Sequence, residues 1–303
     1  MSDEFAIDVR FYRLSEELQP YFTALYSFEI DCADHVLVED CLHPEWAVLR
    51  FTQSGTPPFG SITPEAIRPS FPFVISGPTS RAINFGVKKS RIWGLGLQPA
   101  GWARYVGQPA CTFADRIADA RNIDALAVFA PVLEEVRAVA KDADETARRI
   151  NAYLMEQQVP VAPGHQAIMA CQQALRDPEI GDVATLVLRL GMGRRSLERM
   201  CARYFGFPPK LLLRRQRFLR SLARFMLEPR QNWTGALDVQ YFDHAHFVRD
   251  FRSFMGRTPS EYAMAAHPIL DRIMAQRMAD HGAAPETDLP TVLRYVGQGR
   301  HTD

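Results

Sequence analysis

Short apolar runs broken by turn residues fill the first third of the chain. Trp46 to Phe51, Phe71 to Ile75 and Ile92 to Leu97 are such runs, and Ser54-Gly55-Thr56-Pro57-Pro58 and Ser76-Gly77-Pro78 separate them. Runs of that length with that punctuation predict an antiparallel sandwich or barrel over residues 1 to about 97. From Pro99 the period changes to that of helices: Leu126, Phe129, Leu133 and Val136 recur at three- or four-residue spacing, and Ile150 and Leu154 mark a second helix over Glu145 to Gln157. The apolar stripe at Leu126 to Val136 is read as a face for self-association. Val159-Pro160-Val161-Ala162-Pro163-Gly164 then breaks the helix. We place a domain boundary there, giving a β-rich domain over 1–158, a helical domain over 165–266 and a partly helical tail over 267–303.

The helical domain repeats itself at a spacing of 50 residues. Leu197, Arg199, Tyr204, Gly206 and Pro209 are matched by Phe247, Arg249, Phe254, Gly256 and Pro259, so one supersecondary unit is used twice. Between the copies, Leu211, Arg215, Phe218, Leu222 and Phe225 share one side of a long linking helix. In the first copy an apolar helix from Asp182 to Leu190 ends at Gly191, and Gly193 opens a helix whose outward face is Arg194, Arg195, Glu198 and Arg199. Leu197, Met200 and Cys201 turn inward. In the second copy Asp243 is an N-cap for the helix starting at His244. There Phe247 and Phe251 face the core, leaving His244, Ala245, His246 and Arg249 outside. Helix, tight turn and exposed second helix is the arrangement that enters a DNA major groove.

Charge sharpens the picture. The whole chain is neutral, but residues 165 to 265 carry 16 Lys and Arg against 9 Asp and Glu, a net of +7, which leaves −7 for the remainder. Only Lys210 among those cations is lysine, and arginine is the side chain that pairs bidentately with phosphate and guanine. A charge run alone is a solvated helix face; joined to the repeat and the turn chemistry it points to double-stranded DNA.

GMGRRSLERMCARYFGFPPKLLLRRQRFLRSLARFML followed by YFDHAHFVRDFRSFMGRTPSEY resembles the DNA-binding domain of the AraC family of transcription regulators. The resemblance implies two helix-turn-helix units joined by a long helix. By position it assigns base contacts to Arg195, Glu198 and Arg199 in one recognition helix, and to His244, Ala245, His246 and Arg249 in the other. The sequence departs from the family where Val187 stands for a small alanine and Gln240 for a turn glycine. The stretches FVISGPTSRAINFG and LGLQPAGWARYVGQPA resemble, more loosely, the sensor domains of one branch of that family, which bind small effectors or mediate self-association. The expected class is therefore an α+β, cytoplasmic, sequence-specific regulator. Its expected partners are double-stranded DNA, a small-molecule effector, a second copy of the chain and RNA polymerase.

Other chemistries lack their anchors. No G-x-S-x-G, H-E-x-x-H, Walker or Rossmann signature occurs, so no enzyme and no cofactor are expected. A DNA-repair alkyl transferase is the enzymatic alternative, since some such proteins resemble this family in their DNA-binding part. It needs an activated thiolate, and none of Cys32, Cys41, Cys111, Cys171 and Cys201 is expected in a cluster that supplies one. An architectural DNA-bending protein is a third reading, which predicts neither operator nor ligand. His244 and His246, two apart on a helix, point to different sides. His35, Glu39 and His43 in an extended segment spread over more than ~20 Å at about 3.3 Å per residue. No metal is expected at either. The N-terminus, MSDEFAIDVR, carries acids where a signal peptide needs cations, and no run of about 18 apolar residues predicts a membrane span.

Overall fold

A computed structural model describes residues 5–62, 71–138, 142–227, 235 and 237–279. Among these residues nine strands form two antiparallel sheets. The larger has the order β1 (Phe5–Tyr12), β2 (Phe22–Cys32), β8 (Ser90–Leu97), β4 (Val48–Gly55), β6 (Phe73–Ser76), β9 (Ile117–Asp119). The smaller runs β3 (Val38–Leu42), β7 (Ile83–Val87), β5 (Phe59–Ile62). The apolar runs read from the sequence supply the central strands: Phe51 lies opposite Trp93 and Phe73, and Leu49 opposite Leu95 and Ile75. All six are buried, as alternating inward positions of a sheet require. Gly94 permits a close contact on β8. A Cβ there would lie 2.0 Å from the Tyr26 ring on the paired strand β2.

After the sheets come α1 (Pro99–Gly101), which continues as a π-helical turn to Val106, then α2 (Ala130–Ala138) and α3 (Ala143–Glu156). Leu126, Phe129, Leu133 and Val136 are all buried in the core of their own domain, where α2 lies on β4. This corrects the expectation of a self-association face: the stripe is already covered, by the sheet it follows in sequence.

The helical region comprises α4 (His165–Arg176), α5 (Val183–Leu190), α6 (Arg194–Met200), α7 (Pro209–Leu227), α8 (His244–Met255), α9 (Pro259–Met264) and α10 (Pro268–Ala279). One continuous core joins it to the sheets: Trp46, Leu49 and Trp102 belong to the same buried cluster as Ile168, Cys171, Leu197, Phe205 and Leu213. Arg215, on α7, is fully buried and crosses this junction. Its guanidinium stacks 3.7 Å from the centre of the Trp46 ring, and its NH1 donates to the carbonyls of Glu45 (3.2 Å) and Thr79 (3.0 Å). The second unit is joined as well, through Ala82 N donating to the Phe254 carbonyl at 2.7 Å. Helix α10 returns to the sheets and rests on β1 and β3, with Ile269 buried among Val9, Phe28, Ile30 and Val38. The tail past 279 lies outside the described residues. No described helix is long and apolar enough to cross a membrane.

Candidate nucleic-acid interface

Local sequence builds the first unit. Asp182 caps α5 by accepting from Thr185 N at 2.8 Å, and that bond holds its carboxyl below the usual carboxylate range. Gly191, with φ +59°, ends α5 in the left-handed conformation that glycine adopts without steric cost. Gly193 then starts α6. Leu197 and Cys201 are fully buried and anchor α6, while Arg194, Arg195, Glu198 and Arg199 are all exposed on its other side. Arg194 Nε reaches Glu198 Oε1 at 3.1 Å, one helical turn away. Ser196 is exposed beside them, a residue that the sequence reading passed over. Val187 is partly buried against the core and takes the place of the smaller residue.

The second unit follows the same plan with a different turn. Asp243 accepts from His246 N at 2.6 Å and caps α8, and Phe247 and Phe251 are fully buried. His244, Ala245 and Arg249 are exposed. His246 is half-buried: its ring packs edge-on against Tyr241 at 5.1 Å, and its Nε2 lies 3.1 Å from Arg217 NH2. The structure thus sets His246 apart from the other three, as part of the support under α8. Among the described residues only Asp115 combines a side chain with positive φ, so Gln240 closes its turn without strain. Its side chain instead bridges the two units, donating to the Pro178 carbonyl and accepting from Arg220 NH2 at 3.2 Å.

Linker arginines hold this unit in place. Asp250, 3% exposed at its side chain, accepts from Arg214 NH2 (2.6 Å), Arg217 NH2 (3.0 Å) and the Tyr241 hydroxyl (3.2 Å). Burial, with Asp250 beside it, pushes the Tyr241 hydroxyl well up, so it remains a donor. Arg220 pairs with Asp238, both almost wholly buried. Arg220 is therefore a structural residue, out of reach of any phosphate. Between the units runs a groove of about 550 Å³ whose cationic lining is Lys210, Arg214, Arg217 and Arg249. Of these the sequence marked Arg249 as a base contact and Arg214 and Arg217 as phosphate contacts at most; the groove exists only once the two units are docked.

One cluster away from this face was missed. Cys41 Sγ lies 3.9 Å from His267 Nδ1, which lies 3.2 Å from Asp40 Oδ1. The expectation that no cysteine sits in a cluster with a base is thus overturned for Cys41. The thiol is 2% exposed, however, too deep to meet a DNA substrate. Cys32, Cys171 and Cys201 are also buried and Cys111 is exposed, all as free thiols.

Two exposed helices, α6 opened by Gly193 and α8 capped by Asp243, stand on one cationic region, each after a tight turn, which is the arrangement of two helix-turn-helix units. Residues 186–265 match a family model described as "Helix-turn-helix domain". Among solved structures the chain is similar to ToxT from Vibrio cholerae, at 10% and 11% identity in two crystal structures. These alignments cover 86% of this chain and 98% of that one, with TM-scores of 0.41 and 0.40. It is also similar to the AraC-like transcriptional activator CuxR, at 14% identity over 72% of this chain and 87% of that one, with a TM-score of 0.25. No curated protein matches the chain.

Proposed function

We propose that the chain is a sequence-specific transcription regulator that reads two successive major grooves with α6 and α8, under control of the β-rich domain. The observation that carries this reading is the pairing of burial and exposure on the two helices. Apolar residues one turn apart are sealed into the core, while Arg194, Arg195, Glu198 and Arg199 on one and His244, Ala245 and Arg249 on the other stand free of it. Base contacts come from that second set, and Lys210, exposed in the groove between the units, meets backbone phosphate. The linker supports the spacing. Its 19 residues span about 28 Å at 1.5 Å each, comparable with the ~34 Å between successive grooves on one face of the duplex.

Control runs through small cavities between sheet and helices. One, of about 120 Å³, is bordered by Trp46 and Arg50 from the sheet side, by Leu219, Leu222 and Met226 of α7, and by Ile273 of α10. A small-molecule effector there touches the linker directly, so it binds differently to any state in which the linker has moved. The mechanism is non-catalytic. Selection of duplexes bound by the full chain from a random library tests the proposal. Enrichment of a motif with two half-sites about one helical turn apart is expected, and recovery of unenriched sequence overturns it.

A further inference from the structure

Asp40 and Cys41 stand side by side on β3, and both are buried although neighbours on a strand ordinarily face opposite ways. Facing them is His267, at the entry to α10, also buried. Their ligand atoms all lie within 4.8 Å of one another, with His267 Nδ1 3.2 Å from Asp40 Oδ1 and 3.9 Å from Cys41 Sγ. A tetrahedral zinc ion, bound at about 2.0 Å to nitrogen and oxygen and about 2.3 Å to sulfur, sets neighbouring ligand atoms roughly 3.3 to 3.6 Å apart. Both measured edges fall within a few tenths of an ångström of that.

The outer partners orient the three groups toward one point. His267 Nε2 lies 3.0 Å from the Tyr262 carbonyl, which can only accept, so Nε2 carries hydrogen and Nδ1 is the nitrogen left for a metal. Asp40 Oδ2 is fixed by the backbone N–H groups of Ile269 and Leu270, at 2.9 and 2.8 Å. Oδ1, which also accepts from Cys41 N at 2.7 Å, faces the imidazole. A hydrogen-bonded latch between Asp40 and His267 accounts for the carboxylate and the ring but leaves the Cys41 thiol aimed at Nδ1 without a purpose. A thiolate beside an imidazole selects zinc-class ions and disfavours magnesium and calcium.

We propose that Asp40, Cys41 and His267 form a binding site for a zinc-class divalent cation. Its ligands come from both ends of the chain, 226 and 227 residues apart. An ion there fastens α10 to β3 and, through Tyr262, steadies α9 beneath the second DNA-binding unit.

Titration of the full chain with Co²⁺ tests the site. One equivalent is expected to produce a thiolate-to-cobalt band in the near ultraviolet, which Zn²⁺ then removes. Cys41→Ser should abolish the band, and His267→Gln and Asp40→Asn should each weaken binding at least tenfold. Cys111→Ser, at an exposed thiol, should leave the band intact. A wild-type chain with no saturable band overturns the proposal and leaves only the metal-free latch. A band that survives Cys41→Ser, or that disappears in Cys111→Ser, overturns it too. Should Cys41→Ser fail to fold, X-ray absorption at the zinc edge of the wild-type protein decides: one sulfur ligand supports the site, and none or two refutes it.

Discussion

Asp250→Ala removes the one carboxylate that joins the linker helix to the second recognition helix, and its cost can be worked from burial. Three donors lose their acceptor: Arg214, Arg217 and the Tyr241 hydroxyl. Arg214 is 36% exposed and swings into water, so its share is that of a surface pair, about 0–1 kcal/mol. Arg217 is only 12% exposed and remains as a nearly buried charge without its carboxylate, the situation that costs about 3–5 kcal/mol in buried pairs. Partial access to water places the expected loss near the lower end, about 3 kcal/mol. Against a total stability of roughly 5–15 kcal/mol this is large. Urea unfolding of the full chain measures it, and hydrogen exchange should locate the loosening in residues 237–264 and spare 165–205. Replacing Arg217 by Met in the same chain removes the stranded charge, so the double variant should regain about 2 kcal/mol. If the double variant is as unstable as Asp250→Ala alone, the cost comes from lost packing and the electrostatic reasoning is wrong. A single-variant loss below about 1 kcal/mol refutes it as well.

Arg199→Ala and Arg249→Ala should each relax preference at one base pair by about 1–3 kcal/mol in competition binding; an equal loss on specific and random duplexes would show that these helices do not read bases. Leu133→Ala should destabilise the chain by about 2–5 kcal/mol in urea, while its sedimentation should match wild type, since the stripe is internal; a change of oligomeric state would restore the stripe as an interface. Arg215→Met leaves the Thr79 carbonyl without its guanidinium donor and should cost about 1–3 kcal/mol in the same unfolding assay, with a change in Trp46 emission; an unchanged spectrum would mean the stacked contact is not kept in solution.

What the sequence revealed was local. The caps Asp182 and Asp243, the glycine turn at Gly191 and the three-to-four spacing of Leu197 with Cys201 and of Phe247 with Phe251 all lie within a few residues of what they shape. The helix-turn-helix units and the outward arginines were therefore legible. The partners of other residues were not. Periodicity marked Leu126 to Val136 as a face that must be covered, but not by what, and the sheet covers it. Arg215 fell in the apolar row of the linker and could be placed there, yet the carbonyls that receive it are 170 and 136 residues away. His246 read as a base contact because position on the helix does not disclose Arg217, 29 residues upstream. Asp40 and Cys41 escaped notice because the His267 that gathers them lies across the whole chain.

The linker explains how two domains that look separable in sequence become one mechanical object. Arg214, Arg217 and Arg220 leave α7 toward Asp250 and Asp238 of the second unit, while Arg215, between them in sequence, leaves toward Glu45 and Thr79 of the β-rich domain. Residues one apart on a helix point about 100° from each other, so neighbouring arginines serve different partners without competing. Because α7 also contributes Leu212 and Leu213 to the core that holds the first unit, its position sets both recognition helices and the sheet at once. A rotation of α7 that improved the fit of one unit to DNA would have to break the Arg215 contacts or carry the 45–46 segment with it. In the proposed function the β-rich domain acts on DNA binding through this helix, which lies between the two exposed helices, and the cavity against Leu219, Leu222 and Met226 opens onto it.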